Sequence, residues 1–292
     1  MHPALSDASS ASPLNKTPSL YVVATPLGNL QDMSLRALAV LKAVDAVAAE
    51  DTRHSQRLLD AFDIRTRLVA LHEHNEQEAA GLVIRMLEEG KQVALITDAG
   101  TPAVSDPGAR AVARVQDAGF PVVPVPGACA AIAALSASGL ADGHFHFHGF
   151  LPTKSAARKT ALDSLRGVPG TLVFYEAPHR IAETLDDLAA TLEPTRQIVV
   201  ARELTKMFEQ IVRMPLADAP AWLAADANRA RGEFVLLVSA APASEGLSPE
   251  AERVLGLLLA ELPVKQAAKL AAAITGASKN ALYERALELR DS

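Results

Sequence analysis
Between Leu20 and Leu140, short apolar runs alternate with segments whose apolar residues recur at helical spacing. The runs Leu20–Ala24, Asp45–Ala49, Leu68–His72, Val93–Thr97 and Val122–Val125 have the length of buried strands. Ser34–Val44, Ser55–Phe62, Glu76–Glu89, Ala109–Ala118 and the small-residue stretch Ala130–Leu140 predict helices between and after them. This alternation predicts an α/β fold built on a mostly parallel sheet. Asp142-Gly143 breaks the pattern. Beyond it, strands are expected at His144–Phe150, Thr171–Tyr175, Gln197–Ala201, Phe208–Arg213 and Phe234–Ser239. Helices are expected at Ser155–Arg166, His179–Leu192 and Leu216–Ala225. Strands that follow one another without a helix predict a mixed sheet. After Ala240-Ala241-Pro242-Ala243-Ser244, the stretches Pro249–Leu262, Val264–Ile274 and Lys279–Leu289 read as three helices. The division is a leader at 1–18, rich in Ser, Ala and Pro and expected to be disordered, α/β domains at 19–141 and 142–242, and a helical tail at 245–292.

Three strand ends run into glycine- and proline-rich loops: Thr25-Pro26-Leu27-Gly28-Asn29-Leu30, Thr97 through Gly108, and Pro124 through Cys129. Loops at the carboxyl ends of parallel strands are where open α/β sheets bind ligands. Glycine lets the backbone approach a ligand closely, although each loop alone is also consistent with an ordinary βα turn. None carries GxGxxG or GxxxxGK[ST]. With little charge and much backbone, they suit a neutral or zwitterionic ligand better than a polyphosphate.

Composition narrows the class. A chain of 292 residues with 49 % hydrophobic content can bury a full core, and 4 % aromatic content makes that core mostly Ala, Val and Leu. The net charge of −6 confines any nucleic-acid contact to local basic patches. One cysteine excludes a disulfide framework and a cysteine zinc site, and points to a cytoplasmic protein. No stretch approaches eighteen uninterrupted apolar residues, so no membrane contact is expected.

Several groups have chemistry to offer. Glu50-Asp51-Thr52-Arg53 ends a strand on the loop side of the sheet. It reads either as a base or substrate contact, or as an N-cap by Asp51 or Thr52. His72 and His74 share a strand face but lack metal-ligand spacing, and polar substrate contact fits them better. His144, His146 and His148 read as one strand face opposite a Phe145/Phe147 core face, and Cys129 as a small buried residue. Two basic clusters could hold phosphates. The first has Lys154, Arg158, Lys159 and Arg166 against Asp163. The second has Arg196, Arg202, Lys206 and Arg213 against Glu203 and Glu209. In the first, Leu162 and Leu165 should face the core. A solvated surface is the alternative for each. The tail has helix-turn-helix character, with Lys279, Asn280 and Tyr283 directed outward, or it serves only as a packing appendix.

The ordered strings TPLGN, AEDTR, TDAGTPAVSDPG, PGACAA, FYEAPHR, RELTKMFEQ and RGEF together resemble the tetrapyrrole methylase superfamily across about Leu20 to Ser239. Gly100-Thr101-Pro102 stands where its porphyrin enzymes carry Gly-Asp-Pro. The chain is most similar to members that methylate the ribose 2′-hydroxyl of a cytidine in 16S ribosomal RNA. The resemblance implies two α/β domains with S-adenosylmethionine in the cleft between them, and a homodimer. Its implied cofactor contacts are Pro26, Ala99, Gly100, Thr101, Val104, Cys129, Ala130, Tyr175, Glu176 and Leu204. The candidates for managing the hydroxyl proton or the developing charge are Glu50, Asp51, Arg53, Glu203 and Lys206. Lys154, Arg158, Lys159, Arg202 and Arg213 are the candidates for RNA contact. Methylation of a tetrapyrrole or other small molecule, and a ligand-sensing nucleic-acid-binding regulator, remain alternatives.

Overall fold
The computed structural model describes residues 12–72, 76–140, 143–242, 247 and 249–291. Its first sheet contains β1 (Leu20–Val23), β2 (Ala46–Ala49), β3 (Arg67–Ala70), β4 (Val93–Ile96) and β5 (Val122–Val125), in the order β3-β2-β4-β1-β5. All its pairings are parallel. The central strands β2 and β4 are buried along their whole length, which is why their sequences are continuously apolar rather than alternating. Helices α1 (Leu35–Ala43) and α2 (Thr52–Ala61) contribute Val40, Leu41 and Leu59 to the core on one face. Helices α3 (Glu76–Glu88) and α4 (Ala109–Asp117) contribute Val83, Leu87 and Val115 to the other. The connection after β1 runs toward β2 and the one after β4 runs toward β5, so the carboxyl ends of these neighbouring strands form a topological switch point. There Thr25 and Gly100 pair in an isolated bridge, with Thr25 N–H donating to Gly100 O at 2.8 Å and Gly100 N–H to Thr25 O at 3.1 Å.

Residues 14–18, read from composition as part of a disordered leader, are held against this sheet. Asn15 N–H donates to the Tyr21 hydroxyl at 2.6 Å, and Gln92 Nε2 donates to the Asn15 carbonyl at 2.9 Å.

The second sheet holds β6 (Phe145–Phe150), β7 (Thr171–Glu176), β8 (Gln197–Arg202), β9 (Gln210–Pro215) and β10 (Phe234–Val238), in the order β6-β7-β10-β8-β9. Only β6 and β7 are parallel; the other pairs are antiparallel, which makes the sheet mixed. One face packs on α6 (Ser155–Leu165), α7 (Ile181–Thr191) and α8 (Ala219–Ala224), with Leu162 and Leu165 inward. The other packs on α5 (Ala130–Ser138), whose Ala131 and Ala134 lie against Val173, Val199 and Val235. The sequence pattern predicts one helix over Leu216–Ala225. Instead Leu216–Asp218 forms a 3₁₀ turn and α8 follows, with a proline in its first turn.

Of the expected Phe145/Phe147 core face, Phe147 packs half-buried against the core of the second sheet and Phe145 does not. β6 is an edge strand, Phe145 is 46 % exposed, and the register with β7 slips between Phe147 and Gly149.

Contacts divide the chain into two units, Met1–Ala240 and Ala241–Ser292. The second contains α9 (Pro249–Leu259), α10 (Val264–Thr275) and α11 (Lys279–Asp291) around Leu255, Ala267, Ala271, Leu282 and Ala286. α10 stops at Gly276, which takes the left-handed conformation at φ 73°. Lys279, Asn280 and Tyr283 are exposed on α11. No described helix is long and apolar enough to cross a membrane.

Candidate active site
The loops after β1, β2, β4 and β5 meet the carboxyl end of β7 and the start of β10 around a cavity of about 420 Å³. Ala99, Gly100, Thr101, Val104, Cys129, Ala130, Tyr175, Glu176 and Leu204 all line it. Pro26 does not: it is buried behind the wall, and its neighbour Leu27 lines the cavity instead. Gly100 sits at φ +87°, and its backbone polar groups are both engaged by Thr25. Its contribution is therefore shape and close approach rather than a free amide. Thr101 Oγ1 donates to the Ala128 carbonyl at 2.9 Å, which ties the β4 loop to the β5 loop. Tyr175 is fixed from the opposite wall, where its hydroxyl accepts the Ala131 amide at 3.1 Å at the start of α5. Burial raises the pKa of this phenol well above its ordinary value.

Five carboxylate residues line the cavity (Glu50, Asp98, Asp106, Glu176 and Glu233) against one amine, Lys206. Most are committed to structure. Glu176 accepts Thr184 Oγ1 at 2.7 Å and the Ala177 amide at 2.8 Å, and pairs with Arg180 at 3.1 Å. Asp98 accepts the Asp51 amide at 3.3 Å. Lys206 Nζ lies 2.8 Å from Glu233 and 3.0 Å from Glu203. Burial opposes the Lys206 charge, but the two carboxylates outweigh it and hold the ammonium above its ordinary pKa. Glu203 is likewise opposed by burial, yet is held below its ordinary value by the Glu233 amide and Lys206.

Asp106 is different. Burial, then the Glu50 charge and more weakly Asp98, push its carboxyl up to about 6, against the lowering effect of the Thr97 hydroxyl. In the structure the buried Thr97 hydroxyl directs its one proton to Glu50 Oε2 at 3.1 Å, so Thr97 stands behind the two carboxyl groups, Glu50 and Asp106, that line the cavity. Asp106 was missed in the sequence because Asp-Pro-Gly reads as a turn.

Other candidates fall elsewhere. Asp51 caps α2, accepting the Arg53 amide at 2.8 Å and the His54 amide at 3.4 Å, and the first of these chiefly lowers its pKa. Arg53 beside it is 90 % exposed, and neither residue lines the cavity. Glu203 stands one step back, holding Lys206. Cys129 is half-buried, packs against the core between α5 and the second sheet, and also lines the cavity.

Two of the RNA candidates are corrected. Arg158 is fully buried, with Nε 2.7 Å from Asp187 and Nη2 3.3 Å from Glu183. Arg202 is also buried, donating to the Arg231 carbonyl at 3.3 Å. Arg196, from the same cluster, is enclosed between Glu193 and the Arg166 carbonyl. Lys154, Lys159 and Arg213 are exposed, although Lys159 pairs with Asp187 at 3.3 Å and Arg213 donates to Gly139 O at 3.2 Å. His74 lies outside the described residues, among which no three side chains are grouped to hold a metal.

Comparison with known proteins follows the same outline. Residues 19–220 match the model of the Tetrapyrrole (Corrin/Porphyrin) Methylases, and residues 245–290 match that of the RsmI C-terminal HTH domain. Several relatives carry the name ribosomal RNA small subunit methyltransferase I. The one from Pseudomonas aeruginosa is 55 % identical over 273 residues, covering 92 % of this chain and 97 % of its own. The one from Vibrio cholerae is 51 % identical over 276 residues, covering 94 % and 96 %. Among solved structures, the methyltransferase CobJ aligns with TM-score 0.58 at 21 % identity, over 80 % of this chain and 98 % of CobJ. Uroporphyrin-III C-methyltransferase from Thermus thermophilus, complexed with S-adenosyl homocysteine, aligns with TM-score 0.55 at 21 % identity, over 76 % and 97 %. These two likenesses concern the fold.

Proposed function
The chain belongs to the tetrapyrrole (corrin/porphyrin) methylase family, and from that membership we propose that it transfers the methyl group of S-adenosylmethionine to the ribose 2′-hydroxyl of a cytidine in 16S ribosomal RNA. The names of relatives at about half identity over nearly their full length favour RNA over a tetrapyrrole substrate. The cavity's lining suits the cofactor. With Glu176 paired to Arg180 and Glu233 to Lys206, the remaining carboxyl groups Glu50, Asp98 and Asp106 leave the wall acidic, which favours a cationic ligand and opposes a polyphosphate. Ala99, Gly100, Thr101 and Ala130 would hold it through close backbone approach.

The sulfonium of S-adenosylmethionine supplies a methyl carbon already activated toward an oxygen nucleophile. The protein's task is to align the hydroxyl for in-line attack and to remove one proton. Asp106 carries this reading: its carboxyl faces the cavity and is poised at about 6, close to the working pH of a general base. Burial and then the Glu50 charge keep it there, and the Thr97 hydroxyl fixes Glu50. Lys206 places positive charge on the cavity wall, where it can oppose the charge developing on the ribose oxygen. Lys154, Lys159 and Arg213, with Lys279 of the tail, remain the exposed cations proposed for phosphate contact. The reading extends to a homodimer, as the resemblance implies, and to the cytoplasm, as the single cysteine suggests.

Cofactor-free protein incubated with small ribosomal subunits and labelled S-adenosylmethionine should place label on one 16S ribose 2′-oxygen. Absence of label from every ribose would sink the proposal.

A further inference from the structure
We propose that Phe150 is a stacking platform for the nucleobase of the nucleotide being methylated, set on the cavity wall by the bulge in β6. This rests on the RNA reading above and specifies how the substrate is held.

Phe147 pairs with Val173, but Gly149 pairs with Phe174 and Phe150 with Tyr175, leaving His148 as the extra residue. Side chains on a strand alternate between faces. Without the extra residue, Phe150 would lie on the face opposite Phe147, toward the core that contains Phe174. With it, Phe147 and Phe150 fall on the same face and flank Tyr175 at ring centroid distances of 5.0 and 5.8 Å, both edge-to-face. A bulge that re-aims one side chain beside a cavity is a built feature.

The surroundings support the same conclusion. Gly149 takes φ +78°, and its backbone comes so close to the β4 loop that a Cβ there would lie 2.8 Å from Ser105 Oγ. The chain beyond Phe150 is clamped by Arg180, whose Nη2 donates to the Leu151 carbonyl at 2.5 Å and whose Nε lies 3.1 Å from the buried Glu176 carboxylate. Phe150 is thus held on both sides, yet it is 51 % exposed, while the other large apolar side chains lining the cavity are buried or half-buried. A rigid aromatic ring with an open surface at a cavity rim serves to stack a planar group.

A nucleotide can present its 2′-hydroxyl to Asp106 inside the cavity only by leaving its neighbours in the RNA stack, and an aromatic face replaces the stacking lost. Lys154 stands exposed four residues further on, at the N-cap of α6, where the sugar–phosphate backbone leaving that base can be met. The adenine of the cofactor is the other planar group that could reach the ring, and the test separates the two.

Phe150→Leu keeps an apolar side chain and removes the π face. Methylation of small subunits should lose about tenfold to a hundredfold in kcat/KM, while the Kd for S-adenosylhomocysteine by calorimetry stays within twofold. That unchanged Kd also shows the variant to be folded. Phe150→Trp should recover most of the rate. Wild-type kinetics in the Leu variant would overturn the stacking role alone. A parallel loss of S-adenosylhomocysteine affinity would overturn it by assigning the ring to the cofactor. A wild-type protein that binds S-adenosylhomocysteine but methylates no small subunit would overturn the RNA reading together with it.

Discussion
Burial beside Glu50 leaves the Asp106 carboxyl protonated up to about pH 6, and this has consequences for both rate and stability. As the base, Asp106 must be ionised, so kcat should rise with pH through about 6 and then level. Asp106→Asn should lower kcat by about 10²–10⁴-fold without weakening S-adenosylhomocysteine binding by more than a few-fold. Stability moves the other way. The folded-state pKa lies above the ordinary 3.8, so folded protein binds more protons between those values and stability is lost as pH rises through 6. Asp106→Asn removes that loss. Its melting temperature should exceed the wild type's at pH 8, and the difference should vanish below the ordinary carboxylate value. A variant that is equally active, or less stable at pH 8, would remove Asp106 from this role.

At the scale of elements, the bulge in β6 does by backbone geometry what no side chain on that strand could do. Gly149→Ala adds a Cβ at positive φ, at a cost of about 1 kcal/mol, and presses on a Ser105 hydroxyl that can rotate away. Thermal unfolding should show that modest loss. The rate on small subunits should fall several-fold with S-adenosylhomocysteine affinity retained, since the ring is displaced and the cofactor loops are not. Phe-His-Phe-His-Gly-Phe reads as alternation, and the glycine inside it is the local mark of a bulge, but it does not say which residue is extra, so this element was legible in the sequence and its facing was not. The parallel strands were legible because burial on both faces leaves β2 and β4 purely apolar. The loops after β1, β4 and β5 were legible because tight turns against a sheet need glycine and proline. Asp106 was not, since its perturbed proton affinity depends on Glu50, brought beside it from another strand end. Lys154 and Arg158 are both basic and one helical turn apart, and only the position of Asp187 on α7 determines which is buried.

Across the whole molecule, that difference separates surface charge from internal structure. Lys154→Glu should weaken binding to small subunits, reduce the salt dependence by about one unit of slope and leave cofactor affinity and melting unchanged. Arg158→Glu would instead place a third acid beside Asp187 and Glu183 and destabilise the fold by about 3–5 kcal/mol. Denaturation curves measured beside filter binding would distinguish the two, and a Lys154 variant with an unaltered salt slope would move the phosphate path elsewhere. The contact of Lys206 with Gly28 bears on the charge of the cavity wall. A Cβ on Gly28 would fall 2.4 Å from Lys206 Cγ, so the lysine stem lies directly on the backbone of the loop after β1, joining the rim of the first sheet to the loop after β8. The stem is thus set by that backbone on one side and its ammonium by Glu203 and Glu233 on the other, so any side chain at residue 28 must displace a charge that lines the cavity.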